Sequence, residues 1–185
     1  MHRFFISPSE INWQEKNAVI SDTNQVYKIS NVLRLRENDQ VVLLDGKGLV
    51  YNAQIILLNN RSVKCRLLSR RAVNTEPDLK ITIAQSLLKA PKFDYVLQKN
   101  AEIGISEFIP VTTERTVLRL DEDGDLRKQD KRIERYQRIV MEASEQSERG
   151  STPIVRDITS LEELCRSNLS TYNLKIFVRK EHNLT

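Results

Sequence analysis

The stretch "LKITIAQSLLKAPKFDYVLQKNAEIGISEFIPV", residues 79–111, predicts a strand, a helix and a second strand in direct succession. The run "LKITIAQSLL" is apolar enough for a buried strand, and Pro91 follows where the first turn of a helix tolerates proline. Gly104 stands where a C′ residue would end this helix, and "EFIPV" follows as the next strand. The helix presents five apolar residues to a core: Phe93, Val96, Leu97, Ala101 and Ile103. A unit of this kind predicts parallel strands joined by a helix.

The chain beyond this unit keeps the alternation of strands and helices. A polar segment, "RLDEDGDLRKQD" at 119–130, precedes a long helix. "PIVRD" at 153–157, a short helix "SLEELCRSNL" at 160–169 and "LKIFVRK" at 174–180 come next. The alternation predicts a parallel sheet that helices cover on both faces.

The long helix ends in "IVMEASEQSERG", residues 139–150, where its apolar stripe reaches a polar side chain. Ile139, Val140 and Ala143 are followed at helical spacing by Gln146. A buried amide without partners costs on the order of 1–3 kcal/mol. We therefore expect Gln146 to be buried and to bond a neighbouring loop.

The chain before residue 79 reads mainly as strands. "RFFIS" at 3–7 predicts an edge strand closed by Pro8. One amphipathic helix is predicted between Ser21 and Leu35, after a Ser21-Asp22 cap signal. Three strand-like runs separated by turn residues predict a β-meander or barrel: "QVVLLDG" at 40–46, "LVYNAQIILLNN" at 49–60 and "SVKCRLLSRRAV" at 62–73. With Pro77 marking the boundary, we expect a β domain over 1–73 and an α/β domain over 79–185, an α+β protein overall.

Composition excludes several classes of site. The formal charge of +4 and the pI near 9.1 permit a nucleic-acid partner without requiring one. Cys65 and Cys165 are far apart and have no zinc-type spacing, so a reduced, cytoplasmic setting fits best. His2 and His182 both lie near the termini, which argues against a histidine triad or metal cage, and we expect no metal. Five glycines are too few and too scattered for a dinucleotide or phosphate loop. No stretch predicts a signal peptide or a membrane span.

Polar side chains follow the predicted strands at their carboxyl ends, where open parallel sheets bind ligands. Gln85 and Lys89 follow the first strand, and residues 113–116 follow the second. A further polar patch lies near the end of the long helix: Glu142, Glu145, Gln146 and Arg149. Lys99 and Glu102, three residues apart on a helix, are also interpreted as a solvated ion pair, and so are Glu145 and Arg149, four apart.

Several segments together resemble the RsmE-type 16S ribosomal RNA uridine-N3 methyltransferases. The segments that carry the resemblance appear in the family's order from Met1 to about Val155: "MHRFFI", "NVLRLREND", "DGKG", "AQSLLKAPKFDYVLQKNAEIGISEFIPVTTERTV" and "RYQRIVMEASEQSERGSTPIV". The resemblance implies a PUA-like β-barrel followed by a SPOUT methyltransferase domain with a C-terminal trefoil knot. It also implies S-adenosylmethionine as cofactor, 16S ribosomal RNA or the small ribosomal subunit as partner, and a homodimer.

The resemblance also suggests roles for individual residues. The N3 proton of uridine must be removed before methyl transfer, and Arg115 is expected to stabilise the resulting anion or bind a phosphate. Glu102 would orient Arg115 or a lysine, and we expect Arg115 near the helix end that carries Gln146. The residues expected to contact RNA are Arg3, Arg34, Arg36, Arg70, Arg71, Lys89 and Lys99. The residues expected to brace the site are Gln85, Glu142, Gln146 and Arg149.

The end of the chain departs from the family. "LKIFVRKEHNLT" stops before the Gly-Pro-Glu-Gly-Gly loop and the last segment, which form the knot and hold the cofactor in the family. We therefore expect the cofactor-binding residues C-terminal to Thr185, and little cofactor binding or methyl transfer by this chain as given.

Two other functions stay open from the sequence. The chain could be a non-catalytic module that binds ribosomal RNA, or an assembly protein whose basic charge is incidental. Salt-dependent RNA binding distinguishes the methyltransferase and the RNA-binding module from the assembly protein. Methyl transfer distinguishes the methyltransferase from the RNA-binding module.

Overall fold

A computed structural model describes residues 1–114, 116, 126–167 and 169–178. Arg115, the expected anion-stabilising residue, lies outside the described residues. No helix in the described part is both long and apolar enough to cross a membrane.

The N-terminal sheet has six strands in the order β1-β4-β5-β6-β3-β2. Their bounds are Arg3–Phe5 (β1), Ile11–Asn12 (β2), Asn17–Ile20 (β3), Gln40–Leu44 (β4), Leu49–Leu58 (β5) and Val63–Ala72 (β6). All neighbours pair antiparallel except β1 and β4, which are parallel. The strand predicted from "RFFIS" is confirmed, and it lies at the edge of this sheet.

One helix interrupts these strands, as predicted. It runs as α1 over Thr23–Tyr27 and continues as a π-helical turn over Lys28–Val32. The side chain of Asp22 accepts a hydrogen bond from Gln25 N at 2.8 Å and so caps the helix. Val26 and Ile29 are buried in the core that the strands enclose.

The second sheet is parallel. Its strands are Thr82–Ser86 (β7), Glu107–Thr112 (β8), Ile154–Val155 (β9) and Thr159–Ser160 (β10). β8 is central: β7 pairs along one side of it, while β9 and β10 pair with its start and its end. The helices are Ala90–Glu102 (α2), Leu126–Gln146 (α3) and Leu161–Arg166 (α4). The predicted α+β fold class is confirmed, with a mainly antiparallel sheet followed by a parallel one.

Three predictions about burial in the second half are wrong. β7 is only partly buried, and Ala84 is exposed, because this strand lies at an edge of the sheet. Ile103 is 73% exposed, because it is the C-cap residue of α2 and no longer follows the helical face. Helices do not cover both faces in the described part: α2 and α3 pack with Phe108 and Val155 on one face, whereas Ile154 is exposed.

The segment 174–178 does not form the expected strand. Leu174, Ile176, Phe177 and Val178 are all strongly exposed, and none pairs with a described strand. A strand needs a neighbouring strand for its backbone hydrogen bonds, and apolar sequence alone does not supply one.

Helix α3 packs on two sides, which explains why the prediction for Gln146 is wrong. Tyr136, Val140 and Ala143 face α2, where the rings of Tyr136 and Phe93 lie 4.8 Å apart. Met141 lies on another face and packs against the N-terminal sheet. Gln146 is on neither side and is exposed.

Candidate active site and domain joint

The carboxyl edge of the parallel sheet carries a short turn of threonines. Thr113 and Thr116 follow β8, and Thr113 N donates to Thr116 Oγ1 at 2.7 Å. Thr116 N donates back to Thr113 O at 2.9 Å. The two hydroxyl oxygens lie 3.1 Å apart. These bonds tie together the described residues on either side of position 115 in the sequence.

A groove of about 730 Å³ lies beside this turn, between the ends of β8 and β10 and the start of α4. It is lined by Thr112, Thr113, Glu114, Ser160, Leu161, Glu162 and Cys165. The Ser160 side chain accepts from Glu163 N at 3.0 Å and caps α4. Two carboxylates and one exposed thiol therefore border an otherwise neutral groove.

Gln85 and Lys89 also lie at this edge, after the neighbouring strand. Gln85 is the penultimate residue of β7, and its Nε2 donates to Ser86 O at 3.0 Å. Lys89 is the N-cap residue of α2 and is exposed. Both residues are near the ends of strands, as the sequence indicates, but the described side-chain hydrogen bond of Gln85 stays within its own strand.

The end of α3 lies at the opposite, amino edge of the sheet. Arg149 Nη1 donates to Ala101 O at 2.8 Å and to Ile105 O at 2.9 Å, which are the backbone groups that lead into β8. The rest of its guanidinium binds the carboxylate of Glu76. The expected Glu145–Arg149 pair is therefore wrong. Arg149, whose side chain is 5% exposed, braces the start of β8 and not its carboxyl end.

Glu76 belongs to the segment that joins the two sheets. Besides Arg149, its carboxylate accepts from Gly150 N and from Ser151 N, each at 3.1 Å. Burial opposes ionisation, but the hydrogen bonds from Arg149 and Ser151 outweigh it and lower the pKa of Glu76. The connecting segment is thus fastened to the second half by a charged, hydrogen-bonded cluster.

Two glycines make room for the same segment. Gly104 has φ +103°, and a Cβ there would meet Pro77 Cγ at 2.5 Å. A Cβ at Gly150 would lie 2.9 Å from Val73 Cγ2. The C′ glycine that sequence spacing predicts thus has a second role, because it lets Pro77 approach the end of α2.

Glu145 makes the second link between the halves. Its carboxylate accepts from Phe5 N at 3.2 Å and from Lys28 Nζ at 2.9 Å. Burial raises the pKa of Glu145, and Lys28 and Phe5 N–H offset this only in part. Nearby, Gln25 Nε2 donates to Phe5 O at 2.6 Å, and Arg3 lies 3.4 Å from Glu148. The buried carboxylate of the long helix therefore binds the N-terminal half.

The remaining sequence-predicted residues of the second half lie apart from the threonine turn. Lys99 Nζ pairs with Glu102 at 2.9 Å near the end of α2. This pair is at the amino edge, and β8 spans roughly 17 Å between the two edges. Glu102 therefore binds a lysine, one of its two expected partners, at the amino edge, whereas Thr113, Glu114 and Thr116 follow the carboxyl end of β8. Glu142 and Gln146 are exposed on α3, and the helix end that carries Gln146 is also remote from the turn.

The cations expected to contact RNA differ in their partners. Arg3 and Lys99 are engaged with Glu148 and Glu102. The others have no ion pair with a described carboxylate, and all are exposed: Arg34, Arg36, Arg70, Arg71 and Lys89. The surface of the N-terminal half thus keeps unneutralised positive charge.

Comparison with known proteins identifies the family of this fold. A family model described as an RNA methyltransferase domain matches residues 75–185, and one described as an RNA methyltransferase PUA domain matches residues 29–68. The first match alone covers more than half of the chain. The chain belongs to the RNA methyltransferase family.

Relatives and solved structures of the family agree with this membership. The ribosomal RNA small subunit methyltransferase E of Bacillus subtilis is 31% identical over 89% of this chain and 62% of its own length. The Synechocystis protein of the same name is 34% identical over 83% of this chain and 46% of its own. This chain therefore spans less than two thirds of the length of both curated relatives.

Two of the matching structures contain S-adenosylmethionine. The Neisseria gonorrhoeae small subunit methyltransferase E, bound to it, superposes with a TM-score of 0.77 at 33% identity, over 89% of this chain and 64% of that one. A putative methyltransferase from Legionella pneumophila, also in complex with it, gives a TM-score of 0.80 at 28% identity, over 90% and 66% of the two chains.

The unpartnered buried polar atoms of the described residues lie away from the groove at the carboxyl edge. In the described part, the buried side-chain atoms without a hydrogen-bond partner are Arg3 Nε, Gln25 Oε1 and Asp94 Oδ1, and none of these residues lines the groove at the carboxyl edge. No three described His, Cys, Asp or Glu side chains are grouped to hold a metal ion.

Proposed function

We propose that this chain is part of an S-adenosylmethionine-dependent methyltransferase that acts on N3 of a uridine in 16S ribosomal RNA. The observation that carries the proposal is the joint match of both halves, in order, to the RNA methyltransferase family and to its cofactor-bound structures. The cofactor supplies the methyl group in this reaction.

The carboxyl-edge turn suits the uridine side of this chemistry. Uridine N3 carries a proton at neutral pH, so a nucleophilic nitrogen requires its removal and leaves negative charge on the base. Arg115, placed between Thr113 and Thr116, would stabilise that charge with a guanidinium that stays protonated. The bonds within the turn would fix the direction in which Arg115 leaves β8.

The N-terminal half would hold the RNA. Its exposed arginines have no described carboxylate partners, so they can contact phosphates without breaking an ion pair. Phosphate contacts set the register of an RNA on a protein without reading its sequence. We also propose a homodimer that works in the cytoplasm on the small subunit or its RNA.

Methylation of small-subunit RNA tests the proposal. The protein to assay is this chain followed by the C-terminal segment of a family member, with N3-methyluridine detected by mass spectrometry of nuclease-digested RNA. We expect transfer by this protein and a loss of about a hundredfold or more in Arg115→Ala, the size of effect seen when a charge-stabilising donor is removed.

Arg166→Ala is the matched control, because Arg166 is exposed on α4 and its ion pair among the described residues is with the exposed Glu162. Full activity of Arg115→Ala would remove Arg115 from the site. RNA binding without any methyl transfer would favour the non-catalytic RNA-binding module.

A further inference from the structure

The N-terminal half holds two cations on a single indole ring. Lys16 Nζ lies 3.1 Å, and Arg70 Cζ 4.8 Å, from the centroid of the Trp13 ring. The ring also meets Tyr51, at 6.0 Å between centroids, and Tyr51 is buried. The indole therefore rests on the core while it carries positive charge at the surface.

The backbone fixes this arrangement. Trp13 and Lys16 lie in the turn between β2 and β3, and Lys16 N donates to Trp13 O at 3.3 Å. Lys16 adopts φ +56°, an uncommon conformation for a residue with a side chain. Leu67 N donates to Lys16 O at 2.8 Å, which ties the turn to β6. Because β6 also carries Arg70, both cations are positioned by one strand and one turn.

These cations differ from the others that lie over aromatic rings. Lys28 is above Phe4 and Arg135 above Tyr136, each at 5.9 Å, but both also pair with a carboxylate. No described carboxylate forms an ion pair with Lys16 or Arg70.

The carboxylates of Glu15, which precedes Lys16 in the sequence, and of Asp45 have other partners. Glu15 accepts from Asn17 Nδ2 at 3.1 Å, and Asp45 accepts from the backbone of its own turn. A π face orients a cation without cancelling its charge, so Lys16 and Arg70 remain able to bind an anion.

More positive charge continues along β6. Lys64 and Arg66 alternate with the buried Val63, Cys65 and Leu67, so they project from the outer side of the strand. Neither forms an ion pair with a carboxylate in the described ranges.

We propose that Trp13, Lys16 and Arg70 form a binding site for an RNA phosphodiester. The ammonium and guanidinium groups donate to phosphate oxygens, and the indole keeps them in place before RNA arrives. Of these residues, only Arg70 belongs to the set expected from sequence. The proposal rests on the proposed function, since it names the surface by which that function holds RNA.

Trp13 is the single tryptophan of the chain, so its emission reports on this site alone. We expect a small-subunit RNA fragment, titrated into the 185-residue chain, to change the emission with the midpoint seen by anisotropy of the labelled RNA. Lys16→Gln and Arg70→Gln should each weaken binding by about tenfold at low salt and reduce the slope of log K against log salt by about 0.7 to 0.9.

Two further variants separate the site from general charge. Trp13→Leu keeps the formal charge and an apolar side chain, and it should weaken binding severalfold. Arg166→Gln removes a charge from an exposed ion pair in the second half, and its affinity and salt slope should match those of wild type. If Trp13→Leu does not fold, the double variant Lys16→Gln/Arg70→Gln, which keeps the indole, is used for the test instead.

The outcomes distinguish the two proposals. Suppose that the wild type binds RNA, but Lys16→Gln and Arg70→Gln weaken binding no more than Arg166→Gln does, or Trp13 emission does not change. Either result overturns this site and leaves the proposed function standing. No RNA binding by wild type at any salt concentration overturns both.

Discussion

The two edges of the parallel sheet are built differently, although both carry polar side chains. At the amino edge, the buried guanidinium of Arg149 binds two backbone carbonyls and a carboxylate, and Gly104 allows Pro77 to approach closely. At the carboxyl edge, a threonine turn borders an open groove. Buried, fully hydrogen-bonded charge therefore connects the two halves of this molecule. The candidate active site lies instead where polar groups remain accessible.

Removal of Arg149 should give the largest effect at the amino edge. In Arg149→Met, Glu76 loses its cation and the carbonyls of Ala101 and Ile105 lose their donor, so we expect a loss of about 3–5 kcal/mol in the free energy of unfolding. Urea denaturation measures it. Arg166→Met, which breaks an exposed pair, should cost less than about 1 kcal/mol. A loss in Arg149→Met no larger than in this control would show that the joint is not held by Arg149.

Substitution of Gly104 tests how closely the connecting segment packs. In Gly104→Ala, the new Cβ combines a positive φ with a contact to Pro77, and we expect a cost of about 2–4 kcal/mol. Gly46→Ala shares the positive φ, but its nearest neighbour is Phe5 Cδ1 at 4.0 Å, and it should cost about 1 kcal/mol. If Gly104→Ala and Gly46→Ala lost the same stability in thermal or urea unfolding, the close packing of Pro77 against Gly104 would not contribute to stability.

Acid titration should distinguish the partly buried carboxylate of Glu76 from the buried carboxylate of Glu145 by the sign of the pKa shift. The pKa of Glu76 is lowered in the folded state, so its stabilisation is present above the ordinary value of 4.5 and is lost as pH falls through the lower folded value. The pKa of Glu145 is raised, so stability falls as pH rises from 4.5 to the higher folded value.

Glu76→Gln should therefore cost about 2 kcal/mol at pH 7 and flatten the acid limb of the stability curve. Glu145→Gln should instead remove the decline above pH 4.5. Unfolding free energies measured from pH 3 to pH 7 check both variants. If the two substitutions changed the slope of unfolding free energy against pH in the same direction, the opposite pKa shifts of Glu76 and Glu145 would be refuted.

The smallest effect is expected for Glu102. Its exposed pair with Lys99 is worth a few tenths of a kcal/mol, and it lies at the edge away from the threonine turn. Glu102→Gln should leave stability within about 0.5 kcal/mol and methyl transfer within about twofold of wild type. A large loss of transfer with unchanged folding would restore the catalytic role expected from sequence.

Local pattern accounts for what the sequence predicts well. Alternating apolar residues, Asp22 at a helix start and Gly104 at a helix end each act within a few residues, so the elements and the fold class could be predicted. Strand ends likewise locate residues 113–116 and Gln85 at one edge of the sheet.

Long-range partners account for what the sequence does not predict. Glu145 meets Lys28 117 residues away, and Arg149 meets Glu76 73 residues away. Helical spacing suggested that Glu145 and Arg149 pair with each other. A single apolar stripe does not reveal that α3 packs on two sides. The polar residue by which that helix is buried against the N-terminal half is therefore Glu145 and not Gln146. Its signal would have been a carboxylate four residues after Met141, which faces the same sheet.

Two matched threonines give the most direct test of the division between the edges. Thr116 Oγ1 accepts from Thr113 N, and Thr75 Oγ1 from Gly150 N, both at 2.7 Å. Thr116→Val and Thr75→Val should each lose about 1 kcal/mol of stability. In the extended protein, the kcat of methyl transfer should fall by about tenfold or more in Thr116→Val alone, because the proposed anion-stabilising Arg115 lies between the two bonded threonines in the sequence. An equal fall in both variants, or a larger one in Thr75→Val, would contradict the placement of the chemistry at the carboxyl edge.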